Sequence, residues 1–522
     1  MPLFPRKDRQ HRVSYDVHTW AGVVIGLLLY VMFFTGAIAL VTEPLGTWEE
    51  PAHHEAATGT PGEWWASLPA EGDDVDRVSL TLPDPSHGHQ APTGMVSRDG
   101  DRTYLVWRSG AWAERSSHAA SFLFRLHFLY HPSVPWMINV AGLISMAMLL
   151  ALLTGLVIHL RDLWTDLDTF RPKLPIRAVW TDLHKVTAVI GLPFQLLFAY
   201  TGAVLCLSSF VIAAVALPLY NGDVDRLRSL LFETPPPIAA EAEPAPMKPL
   251  PELLTAAQIA APTMEPSFVS VSNPGLATSE VRIGGVVQGT NERANILLEA
   301  TTGEVRMVQG LEPPKPHQAL INWLFALHFA QFGGGMVLVA YAVLALATCA
   351  TILSGIAIWL GKRRRASDWG TWLLRGLTTG VGAGLPLACA GMLLASRVLP
   401  WSLTGRADWL EGLFVGLFVS ALAWGLADRN ESRAWAGMMG LTAVSCFLAP
   451  VFQATLTSAG LGGAQPQAEV VGVDIGFLVC GLLFATGAFG AARRARRLSE
   501  AVESPALAAP SLEMPSKAVA RG

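Results

Sequence analysis

Long apolar runs divide the chain into membrane and non-membrane parts. Eight such runs occur along the 522 residues, and each is near or above the roughly 18 residues that a helix needs to cross the hydrocarbon core of a bilayer. They lie near residues 19–41, 135–159, 186–216, 334–360, 373–395, 409–427, 434–457 and 470–491. The pattern predicts an all-α polytopic membrane protein with about eight transmembrane helices, surrounded by the lipid bilayer.

Basic residues predict how these helices are oriented. Lys and Arg cluster in four short flanks: Arg6 to Arg12, the 160–183 connection, Lys362 to Arg365, and Arg493 to Arg497. The positive-inside rule assigns such flanks to the cytoplasm. Both termini are then cytoplasmic, and we expect a bacterial inner membrane. The first run lacks a small-residue cleavage site, so we interpret it as a retained span rather than a signal peptide.

The same pattern gives the expected division of the chain. In order, it comprises a cytoplasmic N-terminus with the first span (1–41), an outward module (42–134), the second and third spans with their cytoplasmic connection (135–216), a second outward module (217–333), the fourth span (334–365), an additional four-helix membrane region (366–498), and a disordered cytoplasmic tail (499–522).

Polar and apolar residues alternate as in strands within the two outward segments. The predicted strands are Arg102 to Trp107 in the first segment, and Val281 to Ile283, Asn295 to Glu299 and Glu304 to Val308 in the second. Thr302-Gly303 is the predicted turn before the last strand. Each segment is expected to be a small α+β module, and the Pro-rich stretch 235–251 is interpreted as a linker without regular structure.

Two blocks of the chain are duplicated, and each copy carries histidine. His18 and His184 open two apolar runs that end in Thr35-Gly36-Ala37 and Thr201-Gly202-Ala203, at the same distance from the histidine. LFRLHF around His127 corresponds to LFALHF around His328. Four histidines therefore occupy matched places in two repeats. Gly36, Gly155, Gly202 and Gly355 also recur at matched positions, which fits close helix packing or the close approach of a flat macrocycle.

Composition excludes several classes of protein. The chain is 51% hydrophobic and only 15% charged, and no nucleic-acid partner is expected. All five cysteines lie in apolar runs, which excludes disulfides, CxxC metal sites and covalent CxxCH haem attachment. The glycines at 380–384 follow no strand and form no dinucleotide fingerprint. A Walker A motif is missing, so the chain is not an ATP-driven pump. Electrons for a redox reaction would have to come from another molecule.

These motifs resemble the PepSY-associated transmembrane family. The resemblance rests on the HTWAG opening of the first span, the DLH opening of the third, the paired LH elements, and LLEATTGEVRMV with its strand, turn and strand. It covers roughly residues 10–365 and omits the last four spans. The resemblance implies an inner-membrane ferrisiderophore reductase with b-type haem. The implied partners are a ferric siderophore or other ferric chelate, and a cytoplasmic flavin reductase or quinol as electron donor.

The repeated histidines are candidate ligands of haem iron, because imidazole is its commonest axial ligand. A lone histidine near a helix end is ordinarily an interfacial side chain, but the repeat favours two bis-imidazole sites. If the first and third helices are related by a pseudo-twofold axis, His18 and His184 form an inner site. His127 and His328 then form an outer site near the opposite face. We expect two haem b groups.

His159 is a fifth candidate for cofactor binding, and its role stays open at this point. It lies at the predicted cytoplasmic end of the second span, and its counterpart in the second repeat is Trp359. Symmetry therefore gives it no partner. His159 could replace His18 or His184 as an inner ligand, bind a haem propionate, or ligate a third cofactor.

The remaining histidines are weaker candidates. His131 follows His127 by four residues, a spacing that places two side chains on one helix face, but Pro132 predicts that the helix ends there. The histidines at 53, 54, 87 and 89 fit solvated loops, with a weak transition-metal site as the alternative. His118 and His317 have no assigned role. Among basic residues, Arg125, Arg282 and Arg293 could attract an anionic chelate.

The sequence thus favours an oxidoreductase that passes electrons across the membrane to an external ferric chelate. Two other classes stay open. One is a PepSY-type anchor that binds or regulates a secreted peptidase, and the other is a metal permease with a histidine-lined path. Few Asp or Glu residues lie in the eight spans, Asp474 being the main exception, which counts against a proton-coupled carrier.

Overall fold

Eight helices are long and apolar enough to cross a membrane in the part of the chain that the computed structural model describes. The structure describes residues 7–49, 58–72, 74–83, 91–108, 110–115, 118–160, 175–232, 238, 243–288, 293–363, 368–400, 403–428, 430–458 and 468–503. The spanning helices are α1 (Lys7–Ala39), α5 (Met137–His159), α6 (Ile176–Cys206), α11 (Gly334–Lys362), α12 (Trp369–Val398), α13 (Arg406–Ala427), α14 (Glu431–Ser458) and α15 (Ala468–Glu503). The predicted number and approximate positions of the spans are confirmed.

Seven shorter helices lie between these spans in the residues that the structure describes. They are α2 (Thr42–Glu49), α3 (Pro61–Ala66), α4 (Ala119–His127), α7 (Ser208–Leu219), α8 (Val224–Phe232), α9 (Leu250–Ala260) and α10 (Pro316–His328). The apolar run predicted at 186–216 is divided, because Leu207 leaves helical geometry between α6 and α7. Helix α15 continues through Glu503, beyond the boundary expected at residue 499. Residues 504–522, which hold most of the predicted tail, lie outside the described part.

The two outward segments each supply four strands, and these strands join into one sheet. The first segment contributes β1 (Val75–Thr81), β2 (Thr93–Arg98), β3 (Asp101–Arg108) and β4 (Ala111–Glu114), and the second contributes β5 (Met264–Ser272), β6 (Glu280–Val287), β7 (Arg293–Glu299) and β8 (Val305–Gln309). The eight antiparallel strands have the order β4-β3-β2-β1-β5-β6-β7-β8. The halves join where β1 pairs with β5, with Ser79 opposite Ser270.

The sheet has its own hydrophobic core. Inward side chains such as Leu80, Ile283 and Ile296 are fully buried and pack with Trp64 of α3 and Leu253 of α9. The predicted turn at Thr302-Gly303 is present between β7 and β8, and Gly303 has a φ of +76°, a conformation that glycine adopts without steric cost. The stretch predicted as a linker ends where α9 begins at Leu250.

Elements occur in the same order in both repeats. The matched elements of the first repeat are α1, α3, β1 to β4, α4 and α5, and those of the second are α6, α9, β5 to β8, α10 and α11; α2, α7 and α8 lie between them without a match. The membrane parts of the repeats pack together through α1 against α11 and α5 against α6. Helices α12 to α15 have no counterpart in the described repeats. They pack mainly against α1, α2 and α4 of the first repeat, and α12 also contacts α11 of the second. The duplicated histidines therefore lie on equivalent elements.

Candidate functional site

The structure brings the four repeated histidines together as two pairs. His18 on α1 faces His184 on α6, with ring centroids 6.1 Å apart and planes inclined by 74°. His127, the last residue of α4, faces His328, the last residue of α10, at 6.3 Å and 37°. We call these the inner pair and the outer pair. His127 packs on α1 at Gly36, which is 18 residues beyond His18, or about 27 Å along a helix.

Hydrogen bonds fix the tautomer of three of these imidazoles. Nδ1 of His18, His127 and His184 lies 2.8, 2.6 and 2.8 Å from a backbone carbonyl oxygen, those of Ala151, Met32 and Thr351 respectively. A carbonyl oxygen only accepts, so each Nδ1 carries the proton and donates. Nε2 is then the ring nitrogen with a lone pair for a metal, which is the arrangement of most metal-binding histidines.

His328 reaches the same state through a hydroxyl group. Its Nδ1 lies 2.8 Å from Oγ1 of Thr201, and that hydroxyl donates its own proton to the carbonyl of Leu197 at 2.7 Å. Thr201 therefore accepts from His328, and Nε2 is again the nitrogen with a lone pair. Burial lowers the pKa of His127 and, aided by the nearby His127 ring, lowers that of His328 to about 3. Both outer rings are neutral at neutral pH.

The matched glycines make room for the imidazole rings. A Cβ atom at Gly36 would lie 2.8 Å from the His127 ring, one at Gly155 would lie 2.9 Å from His18, and one at Gly355 would lie 3.0 Å from His184. Gly202 packs instead on Ser145, with His328 at 3.9 Å. Three of the four repeated glycines thus make room for a histidine ring of a neighbouring helix. The sequence had suggested two other uses for them, close helix packing and the close approach of a macrocycle.

A cavity adjoins each pair, with a volume of about 100 Å³ at the outer pair and about 90 Å³ at the inner pair. The outer cavity is lined by aromatic and small apolar residues. Among its described lining residues, the polar side chains are those of the two histidines and Tyr341. The inner cavity is more polar, since His159, Lys185, Gln195 and Thr351 also line it. His159 therefore lines the inner cavity together with His18 and His184.

An aromatic cluster lies between the two pairs. Phe194 contacts Phe33, Phe198 and Tyr341 at centroid distances of 6.4, 4.4 and 5.3 Å, and Phe198 contacts the His328 ring at 5.0 Å. The neighbouring residue Gln195 is buried and lines the inner cavity. Closely packed rings therefore extend from the outer pair to Phe194, next to Gln195 in the wall of the inner cavity.

The spacing of each pair fits a metal ion held between two imidazoles. Two metal–nitrogen bonds of about 2 Å, with about 1.1 Å from each nitrogen to its ring centre, place the centroids about 6.2 Å apart on a straight axis. The observed distances are 6.1 and 6.3 Å. Among the described residues, no group of three or more His, Cys, Asp or Glu side chains could hold a metal ion. The paired imidazoles are therefore the candidate metal donors considered below.

The weaker candidates occupy other places. Helix α4 ends at His127, earlier than predicted, so His131 does not share its helix face; its Nε2 lies 3.6 Å from Glu411 of α13. His118 Nε2 lies 2.5 Å from the same carboxylate. His317 is exposed near the start of α10. The histidines at 53, 54, 87 and 89 lie outside the described residues.

The three basic residues proposed for chelate attraction differ in setting. Arg125 lies 3.5 Å from Glu411, so its charge is partly balanced, whereas Arg282 and Arg293 are exposed on β6 and β7. Sequence reasoning missed Glu411 because an acidic residue near the start of an apolar run carries no signal of its partner. Thr201 could have been found, since it belongs to the repeated Thr-Gly-Ala element.

Comparison with known proteins places this geometry in a family context. The model of the PepSY-associated TM region matches residues 15–362, which span α1 to α11 and both histidine pairs. The uncharacterised protein PA4219 of Pseudomonas aeruginosa is 30% identical over 394 residues, covering 72% of this chain and 96% of that protein. Helices α12 to α15 lie outside the family match.

Proposed function

The chain belongs to the family of PepSY-associated transmembrane proteins, and on that premise we propose that it is a haem-containing electron-transfer protein. The observation that carries the proposal is the pair of bis-imidazole geometries at two depths of the helix bundle. His18 and His184 would hold an inner haem b, and His127 and His328 an outer one. Haem bound at these places would supply reversible one-electron chemistry near each face of the membrane.

The residues of the chain prepare these sites in three ways. The four Nδ1 acceptors orient the rings and raise the basicity of Nε2. The glycines on α1, α5 and α11 let the rings sit against the helix backbone. The aromatic cluster around Phe194 packs rings between the two pairs and gives the outer cavity its apolar wall.

The proposed overall reaction is one-electron reduction of a ferric chelate, such as a ferric siderophore, on the side of the membrane that carries the sheet. Its oxygen donors are hard ligands that suit Fe(III) better than Fe(II), so reduction weakens the complex and releases iron. Electrons would enter from a cytoplasmic flavin reductase or a quinol. The exposed Arg282 and Arg293 support docking of an anionic chelate to the sheet,.

An absorption spectrum with variants tests the assignment. The purified protein should show a b-type reduced-minus-oxidised spectrum and release its haem on acid-acetone extraction, because no CxxCH motif is present to bind it covalently. His328→Ala and His184→Ala should each lose about one haem equivalent from different sites. His317→Ala, on the same helix as His328 but exposed, is the matched control and should keep both.

Two results would contradict the proposal. A colourless protein from cells with ample haem would favour the binding or anchoring role of the sheet instead. Full haem content in both the His184 and the His328 variants would refute the ligand assignment even if haem is present. If haem is present, a reductase assay separates electron transfer from simple haem storage. The intact protein should reduce an external ferric chelate, and His328→Ala should not.

A further inference from the structure

Glu49, the last residue of α2, is a fully buried carboxylate that caps another helix. Its Oε1 accepts hydrogen bonds from the backbone N–H groups of His118 and Ala119 at 3.0 and 3.1 Å, and its Oε2 accepts from Ala120 at 3.1 Å. First-turn N–H groups lack partners within their own helix. His118 provides no side-chain cap, so Glu49 takes that place for α4 and adds a favourable negative charge.

The additional helices α12, α13 and α15 hold Glu49 and its neighbour. Nη1 of Arg406 lies 3.9 Å from the Glu49 carboxylate, and Nη1 of Arg397 donates to the carbonyls of Trp48 and Glu49 at 3.2 and 2.7 Å. The indole N–H of Trp48 donates to Asp474 at 2.8 Å. Burial raises the pKa of Glu49, opposed by its backbone donors and Arg406. The carboxylate thus depends on these partners to be tolerated in the interior.

Helix α13 also contacts α4 directly. Glu411 lies 2.5 Å from the His118 ring, and the Phe122 and Phe414 rings meet edge to face with centroids 4.9 Å apart. One end of α4 is therefore fixed by charges and its side by an aromatic contact. The other end carries His127.

The equivalent helix of the second repeat, α10, is held in a different way in the described part of the chain. Helix α10 begins with its own cap, in which the Lys315 N–H donates to the Gln318 side chain at 2.9 Å, and none of its residues is fully buried. The two helices that present the outer pair are thus held differently. The difference follows from the helices that lie outside the family match at residue 362.

We propose that α12 to α15 form an intramolecular clamp that fixes α4, and that Glu49 is the positioning residue through which the clamp sets His127. The ligand role of His127 rests on the proposed function, whereas the clamp itself does not. In this arrangement His127 is the fixed member of the outer pair and His328 lies on the freer helix. The clamp gives the four additional spans a role that needs no cofactor of their own.

Hydrogen exchange and the spectrum of the outer site test the clamp together. In Glu49→Gln the amides at the start of α4 should exchange about tenfold faster, while those of α10 keep their rates. The outer haem should change its absorption or EPR signature, and the inner one should not. Glu63→Gln is the control, because Glu63 caps the short helix α3 from an exposed position and should alter neither readout.

The outcomes separate the clamp from the proposed function. Unchanged exchange in α4 of Glu49→Gln would overturn the clamp, even if haem binds as proposed. Faster exchange in a protein that binds no haem would support the clamp and refute the proposed function. If Glu49→Gln does not fold, Arg406→Lys is the second variant. It keeps the charge but has a shorter reach, so the contact with Glu49 weakens and amide exchange should increase in α2 and α4 alone.

Discussion

Replacement of Gly36 by Ala should displace His127 and impair the outer site. The added Cβ would lie 2.8 Å from both Cε1 and Nδ1 of the ring, against about 3.4 Å for ordinary contact, so the ring must move by about 0.6 Å. The hydrogen bond from Nδ1 to Met32, now 2.6 Å long, would stretch toward the limit of roughly 3.2 Å for a good bond. The imidazole would also lose its alignment with His328.

The energetic balance of this substitution is unfavourable. Overpacking of this kind costs about 1–3 kcal/mol, and weakening the hydrogen bond costs roughly 0.5–1.5 kcal/mol more. The helix propensity of Ala recovers about 1 kcal/mol at most. The net expectation is a loss of about 0.5–3.5 kcal/mol, concentrated at the outer pair.

Gly22 provides a matched control on the same helix. A Cβ atom there meets no atom within 4 Å, so Gly22→Ala should keep full haem content and thermal stability. The assay is haem per polypeptide from reduced-minus-oxidised spectra, together with the unfolding temperature of the haem-free protein. Equal behaviour of the two variants would refute the argument that the repeated glycines seat the histidine rings.

Four further outcomes follow from the structure. The near-perpendicular inner rings and the more parallel outer rings should give two distinct low-spin EPR signals, and a single signal would count against bis-imidazole ligation at both pairs. Lys185→Met should lower the midpoint potential of the inner haem alone, because Lys185 lines only the inner of the two cavities and a nearby positive charge favours the added electron. A hydrogen bond from the Ser97 hydroxyl is the main cause that lowers the pKa of Asp76 below its ordinary 3.8. The ionised Asp76 therefore stabilises the fold above pH 3.8, and this effect is lost as the pH falls through the lowered pKa. The urea midpoint of Asp76→Asn should decline less steeply in acid than that of the unchanged protein. Alkaline phosphatase fused after Gly222 should be active, whereas the same enzyme fused after Asp368 should be inactive. The reverse result would invert the proposed direction of electron flow.

Apolar periodicity and the duplicated motifs are enough to predict the membrane architecture and the histidine positions, because both depend on local residue type and spacing. They do not predict that the two outward segments pair in one sheet. Strands β1 and β5 pair across almost 200 residues of chain, with Arg77 opposite Ser272, and register over such a distance depends on tertiary packing. Strand β1 also carries exposed charges at Asp76 and Arg77, which hide its alternation.

Much of the candidate site lies in groups that a sequence does not display. Three of the four Nδ1 acceptors are backbone carbonyls, which every residue has, so no side-chain pattern marks Ala151, Met32 or Thr351. Glu49 was equally hidden, because a carboxylate between an apolar run and a polar segment is ordinarily solvated. Its burial depends on Arg397 and Arg406, which lie about 350 residues away along the chain.

Thr35 and Thr201 are equivalent in the sequence repeat but differ in their contact with histidine. Both belong to the repeated Thr-Gly-Ala element, and both hydroxyls donate to a carbonyl one turn earlier in their own helix, those of Val31 and Leu197. Thr201 also accepts from His328, whereas His127 passes over Thr35 and donates to the Met32 carbonyl. A hydroxyl can be removed by substitution and a carbonyl cannot. The outer pair therefore combines one imidazole oriented by a backbone carbonyl, His127, with one oriented by a side-chain hydroxyl, His328.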